Sequence, residues 1–314
     1  MSKPTIRGEI RRLTRSGDSR VVCPVRVRRI EELTPHFRRV VVQGDGLAGY
    51  ATVRPADAFK LVIPPDGVGD VRMPKLGPGG APVWPEDRPA PLMRAFTVRS
   101  FDPATRELAF DVAVHGSGPA MAWLYETRPG NTAVLFGTRR EFHAGDVDHH
   151  LLIGDSASLP AIAAIRESLD APSTVFLQAE SVDEQVLVPG DVNWIIGPPN
   201  TGPDSGLEKA VRAFNLPAGR TQAWLAAEAG VVRSLRRHLT DNLAIPRDDL
   251  HTVAYWIAGE PAERRDAEQM KWYLKAAEDG LDATDPAVLQ ALEFAGSVGN
   301  DTRYRSVRED AAGS

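Results

Sequence analysis

The chain has 314 residues, a length typical of roughly two domains with separate cores. Hydrophobic residues make up 42% and charged residues 25%, which excludes an intrinsically disordered, collagen-like or disulfide-scaffold protein. The single cysteine, Cys23, excludes an intramolecular disulfide and a thiolate metal cluster, and its apolar neighbours indicate a buried strand residue. A net charge of -5 argues against a nucleic-acid-binding protein, whose domains are normally basic.

The N-terminal segment 1–20 lacks the apolar stretch of a secretory signal, and no apolar run approaches the ~20 residues of a membrane span. We therefore expect a cytoplasmic protein without a membrane-spanning segment. Several arginines stand singly beside glycine or proline, where a guanidinium group either recognises a small anion or only solvates the surface. These are Arg88, Arg94, Arg99 and Arg139.

Residues 21–142 have the pattern of short β-strands. Six apolar runs with few helical stretches between them predict a small antiparallel barrel: VVCPVRVRRI, FRRVVVQG, FKLVIP, RAFTVRSF, ELAFDVAVHG and TAVLF. Apolar residues alternate from Leu108 to Val112, and the turn sequence at 102–105 before them predicts a hairpin. The segment 64–91 is too rich in proline and glycine to predict regular structure.

From residue 149 onwards, apolar runs alternate with helix signals, which predicts a parallel sheet covered by helices. The runs are LLIG, TVFLQ, NWII, QAWLAA and TVAYWIAG. Pro160 marks the first turn of a helix after the first run, and Ser205 with Glu208 forms a capping box. An apolar stripe at 232–239 predicts a further helix.

These patterns predict a β + α/β architecture, in which an N-terminal antiparallel six-stranded β-barrel precedes a parallel-sheet α/β domain and a C-terminal helical tail. The expected boundaries are an N-terminal tail at 1–20, the barrel at 21–145, the α/β domain at 146–260 and the helical extension at 261–314. Two helices are expected in that extension, at 264–278 and 285–296. The architecture alone does not determine the function.

Two segments carry the residues best suited to bind a ligand. The strand 94–99, RAFTVR, projects guanidinium and hydroxyl groups from a rigid scaffold, and HGSGPA follows at 115–120. The glycines allow close approach of the backbone to a ligand, and Pro119 begins a helix whose free N–H groups would face an anion. Gly-x-Gly-Pro alone is more often a tight turn, but together the segments predict the diphosphate site that a flavin requires.

At these residues the sequence resembles the siderophore-interacting proteins, which are FAD-dependent ferric-siderophore reductases of the ferredoxin-reductase-like superfamily. The likeness covers roughly residues 21–260. It is carried by RAFTVR and DVAVHGSGPAMAW, and by LTPHFRRVVVQG, DAFKLVIP, GTRREF, IGDSASLPAIAAI, AWLAAEAGVVRSLRRHL and AYWIAG. The order of these motifs along the chain is also that of the family.

The resemblance implies that FAD is the cofactor and assigns its contacts residue by residue. Thr97 would lie near the isoalloxazine ring, His115 near the ribityl chain and pyrophosphate, and Asp155 near the adenosine half. The implied FAD-binding residues are Arg94, Phe96, Thr97, Val98, His115, Gly116, Gly118, Pro119, Ala120, Asp155, Ser156 and Ser158.

The resemblance also implies a substrate position. Lys60 and Arg139 match cationic residues at the mouth of the flavin cleft, where they would attract an anionic ferric siderophore. Tyr255 and Trp256, at the end of the last strand, are candidates either for covering the flavin or for packing in the core.

The sequence departs from the family pattern at four positions. Phe96 replaces a tyrosine, Ala157 a threonine, Ile257 an arginine and Gly197 a cation. The loss of the phenol at Phe96 predicts looser binding of the flavin. The third cation of the family's basic cluster is therefore missing, or it is supplied by the C-terminal extension, from Arg264, Arg265 or Lys271.

We expect a flavin-dependent oxidoreductase that reduces Fe(III) in an internalised ferric siderophore, with electrons from NADH, NADPH or a ferredoxin partner. Hard oxygen ligands hold Fe(II) more weakly than Fe(III), so reduction releases the iron. No catalytic acid or base and no protein metal site are expected. The alternatives are another flavin reductase of small molecules and a siderophore-binding protein without FAD. A monomer or weak dimer is expected.

Nicotinamide binding in the usual dinucleotide mode is weakly supported. The sequence GDSASLP at 154–160 is not a Gly-x-Gly-x-x-Gly motif, and the carboxylate of Asp155 would repel a pyrophosphate placed directly on it. The electron donor therefore stays open between a nicotinamide and a ferredoxin.

Overall fold

The computed structural model describes residues 5–15, 21–50, 53–65, 71, 73–76, 82–84, 91–188, 190–198, 205–260, 271, 274–276 and 278–281. Within these ranges a seven-stranded antiparallel sheet precedes a five-stranded parallel sheet, and a separate two-stranded pair is inserted in sequence between two strands of the antiparallel sheet. This arrangement confirms the predicted combination of an antiparallel barrel with a parallel α/β sheet.

The strands are β1 (Val22–Thr34), β2 (Phe37–Gln43), β3 (Ala58–Ile63), β4 (Lys75–Leu76), β5 (Pro82–Val83), β6 (Leu92–Thr97), β7 (Ser100–Asp102), β8 (Glu107–Ala113), β9 (Thr132–Arg139), β10 (His149–Asp155), β11 (Ser173–Ala179), β12 (Asn193–Ile196), β13 (Thr221–Glu228) and β14 (Leu250–Trp256). The α-helices are α1 (Ile6–Arg15), α2 (Pro119–Glu126), α3 (Leu159–Glu167), α4 (Gly206–Arg212) and α5 (Ala229–Asp241). Short 3-10 helices lie at Asp45–Gly49, Val182–Leu187 and Arg247–Asp249.

The antiparallel sheet closes into a barrel through one bent chain segment. Its strand order is β6-β3-β9-β1-β2-β8-β7, so β6 and β7 occupy the two edges, and only Val98 and Arg99 separate them in sequence. The Arg99 N–H donates to the carbonyl of Ala109 on β8 at 2.8 Å. The segment 92–102 thus pairs with β3 at one end and β8 at the other. Counted as one strand, it gives the six strands that the sequence predicts.

The barrel core is formed by alternate residues of these strands. Leu108, Phe110 and Val112 are buried on β8, as their period-two spacing predicts. The hairpin before them is confirmed, because the carboxylate of Asp102 accepts a hydrogen bond from the Ala104 N–H at 2.9 Å. Cys23 is buried as well, and burial raises the pKa of its thiol to about 11. The thiol is therefore protonated and unreactive near neutral pH.

The parallel sheet has the order β12-β11-β10-β13-β14, so the strand order reverses between β10 and β13. Ligands bind open α/β sheets at the carboxyl ends of the strands beside such a reversal. The predicted helix starts are confirmed: Pro160 lies in the first turn of α3, and Ser205 Oγ accepts from the Glu208 N–H at 3.0 Å. The side chain of Glu208 binds Arg212 and Ser234, so this N-terminus has half of the expected capping box.

The structure differs from the prediction in two places. The segment predicted as an N-terminal tail contains α1, whose apolar residues Ile6, Ile10 and Leu13 are buried at helical spacing. The Pro/Gly-rich segment contains the short pair β4 and β5, in which Lys75 pairs with Val83.

The predicted helix at 285–296 lies outside the described residues, as does most of the helix at 264–278, of which positions 271, 274–276 and 278 are helical. The helices that the structure describes include none long and apolar enough to cross a membrane.

Candidate functional site

Three of the predicted site residues share one outer face of the barrel. Ala58 on β3 pairs with Thr97 on β6 and with Arg139 on β9, so these residues lie side by side on neighbouring strands. Lys60 is two residues further along β3 and points to the same side. Phe59, between them, belongs to the barrel core. The strand pairing therefore puts Lys60, Thr97 and Arg139 on one face, and their roles towards a flavin or a siderophore stay predictions.

Arg94 and Phe96 lie on the opposite face of β6 from Thr97, because side chains alternate along a strand. The ring of Phe96 packs against the core, with its centroid 4.9 Å from that of Phe110 and 6.3 Å from that of Phe59. Arg94 is buried. The strand thus presents a cation and an aromatic ring on one face and a hydroxyl on the other.

The chain between β8 and α2 forms an open cradle. Its residues from His115 to Gly118 are exposed, and Gly116 and Gly118 have φ values of 50° and 133°, which favour glycine. No side chain caps α2, which begins at Pro119. A Cβ placed on Gly116 would meet no heavy atom within 4 Å. This uncapped helix N-terminus fits the diphosphate of a dinucleotide.

Arg139 is paired with a buried carboxylate. Its Nε donates to Glu141 Oε1 at 3.0 Å, and its Nη2 contacts the same oxygen. Glu141 is 1% exposed and also accepts a hydrogen bond at Oε2 from the hydroxyl of Tyr255, at 2.7 Å. Burial and the nearby Glu141 raise the pKa of Tyr255 well above its ordinary value. The cluster joins the barrel to the end of β14.

Arg140 is paired with a second buried carboxylate. Its Nη1 contacts Asp57 Oδ2, which also accepts from the Tyr50 hydroxyl at 2.6 Å. Burial raises the pKa of Asp57 to about 6, although Arg140 acts in the opposite direction. The carbonyl of Asp57 accepts from the Val98 N–H at 2.7 Å. This network fixes the start of β3 beside the end of β6, where Thr97 lies.

Asp155 lies at the carboxyl end of β10, next to the reversal in strand order. Its Oδ2 accepts from the Trp256 indole N–H at 2.8 Å and the Glu228 N–H at 3.0 Å, while Oδ1 accepts from the Ala157 N–H at 3.0 Å. Burial raises the pKa of Asp155 to about 6. All of these donors belong to the protein, so the carboxylate is already satisfied internally.

The two serines after Asp155 also have internal partners. Ser158 is fully buried, and its hydroxyl bonds to the backbone N–H and carbonyl of Asp155 at 3.0 Å each. The half-buried Ser156 donates to Glu184 Oε2 at 2.9 Å. Of the three residues that the resemblance assigns to the adenosine half, only Ser156 therefore retains access to solvent.

The N-terminus of α5 is occupied by its own cap. The Glu228 carboxylate accepts from the N–H groups of Gly230 at 2.6 Å and Val231 at 3.1 Å, and its other oxygen accepts from the Ala258 N–H at 3.2 Å. A carboxylate at this position disfavours a second anion. The two helix termini differ in this respect, since α2 has free amides and α5 has a bound acid.

Two of the singly placed arginines, Arg99 and Arg139, form ion pairs with carboxylates of the protein. Arg99 contacts the carboxylate of Glu167 on α3, with its Nη1 2.8 Å from Oε2, and so links the barrel to the α/β sheet. Arg88 lies outside the described residues. Arg99 therefore binds a carboxylate of the protein itself, and recognition of small anions by these arginines stays a prediction. Across the part of the chain that the structure describes, no group of three His, Cys, Asp or Glu residues could hold a metal ion.

Comparison with models of known families shows the family to which the chain belongs. Residues 26–142 match the siderophore-interacting FAD-binding domain, and residues 147–259 match the siderophore-interacting protein domain. The chain belongs to the siderophore-interacting protein family. The resemblance seen in the sequence is thereby confirmed, and the barrel half of the chain is an FAD-binding domain.

Two relatives align with most of the chain. The ferric vibriobactin reductase ViuB of Vibrio cholerae is 28% identical over 241 residues, which are 74% of this chain and 88% of ViuB. The mycobactin import ATP-binding/permease protein IrtA of Mycobacterium tuberculosis is 29% identical over 244 residues, which are 72% of this chain but 25% of IrtA.

Solved structures give the same result. A siderophore utilization protein from T. fusca is 27% identical, with a TM-score of 0.65, 76% of this chain covered and 94% of that one. The siderophore-interacting protein SipS from Aeromonas hydrophila is 28% identical, with a TM-score of 0.63 and coverage of 83% and 98%. A ferredoxin reductase of carbazole 1,9a-dioxygenase, 19% identical with a TM-score of 0.51, shares the fold.

Within this siderophore-interacting protein, Glu141 is the residue of the site that the sequence analysis missed. A signal was present, because Arg139 and Glu141 are two residues apart in an extended segment and can therefore lie on one side. The contact with Tyr255 had no such signal, since 114 positions separate the partners.

Proposed function

We propose that this protein is an FAD-dependent ferric-siderophore reductase. The observation that carries the proposal is the open, uncapped N-terminus of α2 with its two positive-φ glycines, placed in a chain whose first matched domain binds FAD. ViuB, whose name describes a ferric vibriobactin reductase, supports the same reaction class.

Residues from three elements would hold the cofactor. The amides at the start of α2 and the chain from His115 to Gly118 would bind the diphosphate, and the guanidinium of Arg94 would add a positive charge. The hydroxyl of Thr97 would face the flavin ring from the outer side of β6. When bound, FAD would supply the redox chemistry, because it can take an electron pair from a nicotinamide or single electrons from a ferredoxin and pass them on one at a time.

Tyr255 and Trp256, at the end of β14, would cover the flavin without changing the orientation that they have in the structure. The hydroxyl of Tyr255 is bound to Glu141, and its ring stands at 86° to that of Trp224, with the centroids 6.3 Å apart. The indole N–H of Trp256 is bound to Asp155. Both rings are therefore oriented by hydrogen bonds, and both residues are partly exposed.

The substrate is a ferric siderophore, and the reaction adds one electron to its iron. Fe(III) becomes Fe(II), no bond of the chelator is cleaved and no proton has to be transferred by a side chain. A two-electron donor therefore reduces two ferric complexes. NADH, NADPH and reduced ferredoxin are the candidate donors, and an internalised substrate places the reaction in the cytoplasm.

The proposal is tested by anaerobic half-reactions of the purified protein reconstituted with FAD. The bound flavin is first reduced with NADH, NADPH or reduced ferredoxin, and a ferric siderophore is then added together with a chromogenic Fe(II) chelator. We expect the flavin absorption to return as the Fe(II) complex forms. A reduced flavin that no ferric complex reoxidises contradicts the proposal, and a protein that retains no FAD supports the binding-protein alternative.

A further inference from the structure

The arginines at the end of β9 do not present unbalanced positive charge. Arg139 is paired with Glu141 and Arg140 with Asp57, and both carboxylates are buried. The two guanidinium groups and the two carboxylates sum to zero. Lys60, on the same outer face as Arg139, adds a single positive charge.

Arg139 does not readily leave Glu141 to bind an anionic substrate. Its side chain is 32% exposed, whereas that of Glu141 is 1% exposed. If Arg139 turned towards an anionic ligand, Glu141 would keep only the hydrogen bond from Tyr255 and would become a buried charge without a cation. Breaking such a pair by removing one partner is strongly unfavourable. Arg139 is therefore held by Glu141.

The last residues of β14 and the described residues that follow it, up to Glu260, add no positive charge to this face. Tyr255 is followed by Trp256 and Ile257, both half-exposed and uncharged. The carboxylates of Asp155 and Glu228 also lie at this end of the sheet, where they accept hydrogen bonds from the Trp256 indole N–H and the Ala258 N–H. A ligand that reaches the junction from this side meets aromatic and aliphatic surface.

We propose that the site selects ferric complexes of low net charge, of the tris-hydroxamate class, over the trianionic tris-catecholates. This inference rests on the proposed function. Three hydroxamates balance the charge of Fe(III), whereas three catecholates leave three negative charges over. The attraction of a tris-catecholate complex grows with the positive charge of the site. Here Glu141 neutralises Arg139 and Asp57 neutralises Arg140, so this attraction is weak.

Binding is measured apart from electron transfer with gallium(III) complexes, which have the shape and charge of the ferric ones but are not reduced. The FAD-loaded protein is titrated with gallium desferrioxamine B and with a gallium tris-catecholate, and the quenching of tryptophan fluorescence is followed at several salt concentrations. We expect a Kd about tenfold lower for the hydroxamate complex, with little dependence on salt. A lower Kd for the tris-catecholate overturns the inference.

The variant Glu141→Gln removes the negative charge and keeps an oxygen that can accept from Tyr255. We expect it to tighten binding of the tris-catecholate by about tenfold, with a steeper salt dependence, and to leave the hydroxamate Kd unchanged. Asp249→Asn is the matched control, because it breaks the Arg220–Asp249 pair next to the start of β14, at the opposite end of that strand from Tyr255. An unchanged Kd ratio in Glu141→Gln contradicts the inference, and if that variant does not fold, the wild-type ratio decides alone.

The two proposals fail in different ways. Reduced wild-type protein that transfers electrons to neither ferric complex contradicts the proposed reductase function. Reduced protein that transfers electrons to both complexes, with tighter binding of the gallium tris-catecholate, leaves the reductase function intact and overturns only the selectivity.

Discussion

The hydroxyl of Tyr255 donates to Glu141 Oε2 at 2.7 Å and thereby joins the last strand of the parallel sheet to the end of the last barrel strand. Glu141 in turn binds Arg139, which lies on the same face as Thr97. One buried carboxylate thus connects the two sheets at the place where the flavin ring is proposed to bind.

Replacement of Tyr255 tests this connection. We expect Tyr255→Phe to lower the free energy of unfolding by about 1–3 kcal/mol, because the buried Glu141 loses a hydrogen-bond donor. Urea denaturation of both proteins measures the change. Tyr125→Phe is the control: Tyr125 is exposed and packs its ring against Arg38, a contact that phenylalanine retains. Equal losses in the two variants would show that the Tyr255 hydroxyl contributes nothing specific.

The cradle before α2 is tested at Gly116. We expect Gly116→Ala to weaken FAD binding by about tenfold or more, because the methyl group enters the space proposed for the diphosphate and a positive φ is strained for alanine. Gly130→Ala controls for strain alone, since Gly130 also has a positive φ and open space around its Cβ. Titration of the apoproteins with FAD gives both Kd values, and similar changes in the two variants would count against the cradle.

The cation on β6 is tested by Arg94→Ala. We expect the Kd for FAD to rise by about tenfold or more, because a charge-assisted hydrogen bond to a phosphate contributes about 1.5–3 kcal/mol. Arg106→Ala is the control, since Arg106 pairs with the exposed Asp45 on the protein surface. Isothermal titration calorimetry with FAD measures the Kd of both variants. An unchanged Kd in Arg94→Ala would remove this residue from the FAD site.

The pH dependence of stability tests the environment of Asp155. Burial raises the pKa of Asp155 to about 6, so the folded state binds more protons than the unfolded state at mildly acidic pH. The Asp155 carboxyl group therefore lowers the stability of the wild-type protein as the pH rises from about 4 to about 6, by on the order of 3 kcal/mol. We expect the stability of Asp155→Asn relative to wild type to increase over the same range, measured by urea denaturation at each pH.

Asp102 is the control, because its pKa is shifted in the opposite direction and its effect on stability should therefore change with pH in the opposite direction. Hydrogen bonds from Thr105 and Ala104 lower the pKa of this exposed carboxyl group. Its contribution to stability is present above the unfolded pKa and is lost as the pH falls, so Asp102→Asn should lose stability relative to wild type as the pH rises. Slopes of the same sign in the two variants would contradict the assignment for Asp155.

The sequence by itself determined the features whose partners are close along the chain. The Asp102 turn, the Ser205 cap and Pro160 at the start of α3 are all local, with their partners within a few residues. The alternation on β8 and the apolar strands of the parallel sheet likewise follow from periodicity. The order of the motifs along the chain then indicated the family and its FAD-binding domain, which the family comparison confirmed.

Only the tertiary structure decided which charges meet. From the sequence alone, Arg139 is expected to be a cation available to a ligand, but the fold pairs it with Glu141 and brings Tyr255 to the same carboxylate from 114 positions away. Asp155 and Trp256 are joined in the same manner over 101 positions. Such contacts depend on strand order and register, which fix side chains of distant segments within a few ångströms of one another. The charge of the site is therefore a property of the sheets and cannot be read from the arginines alone.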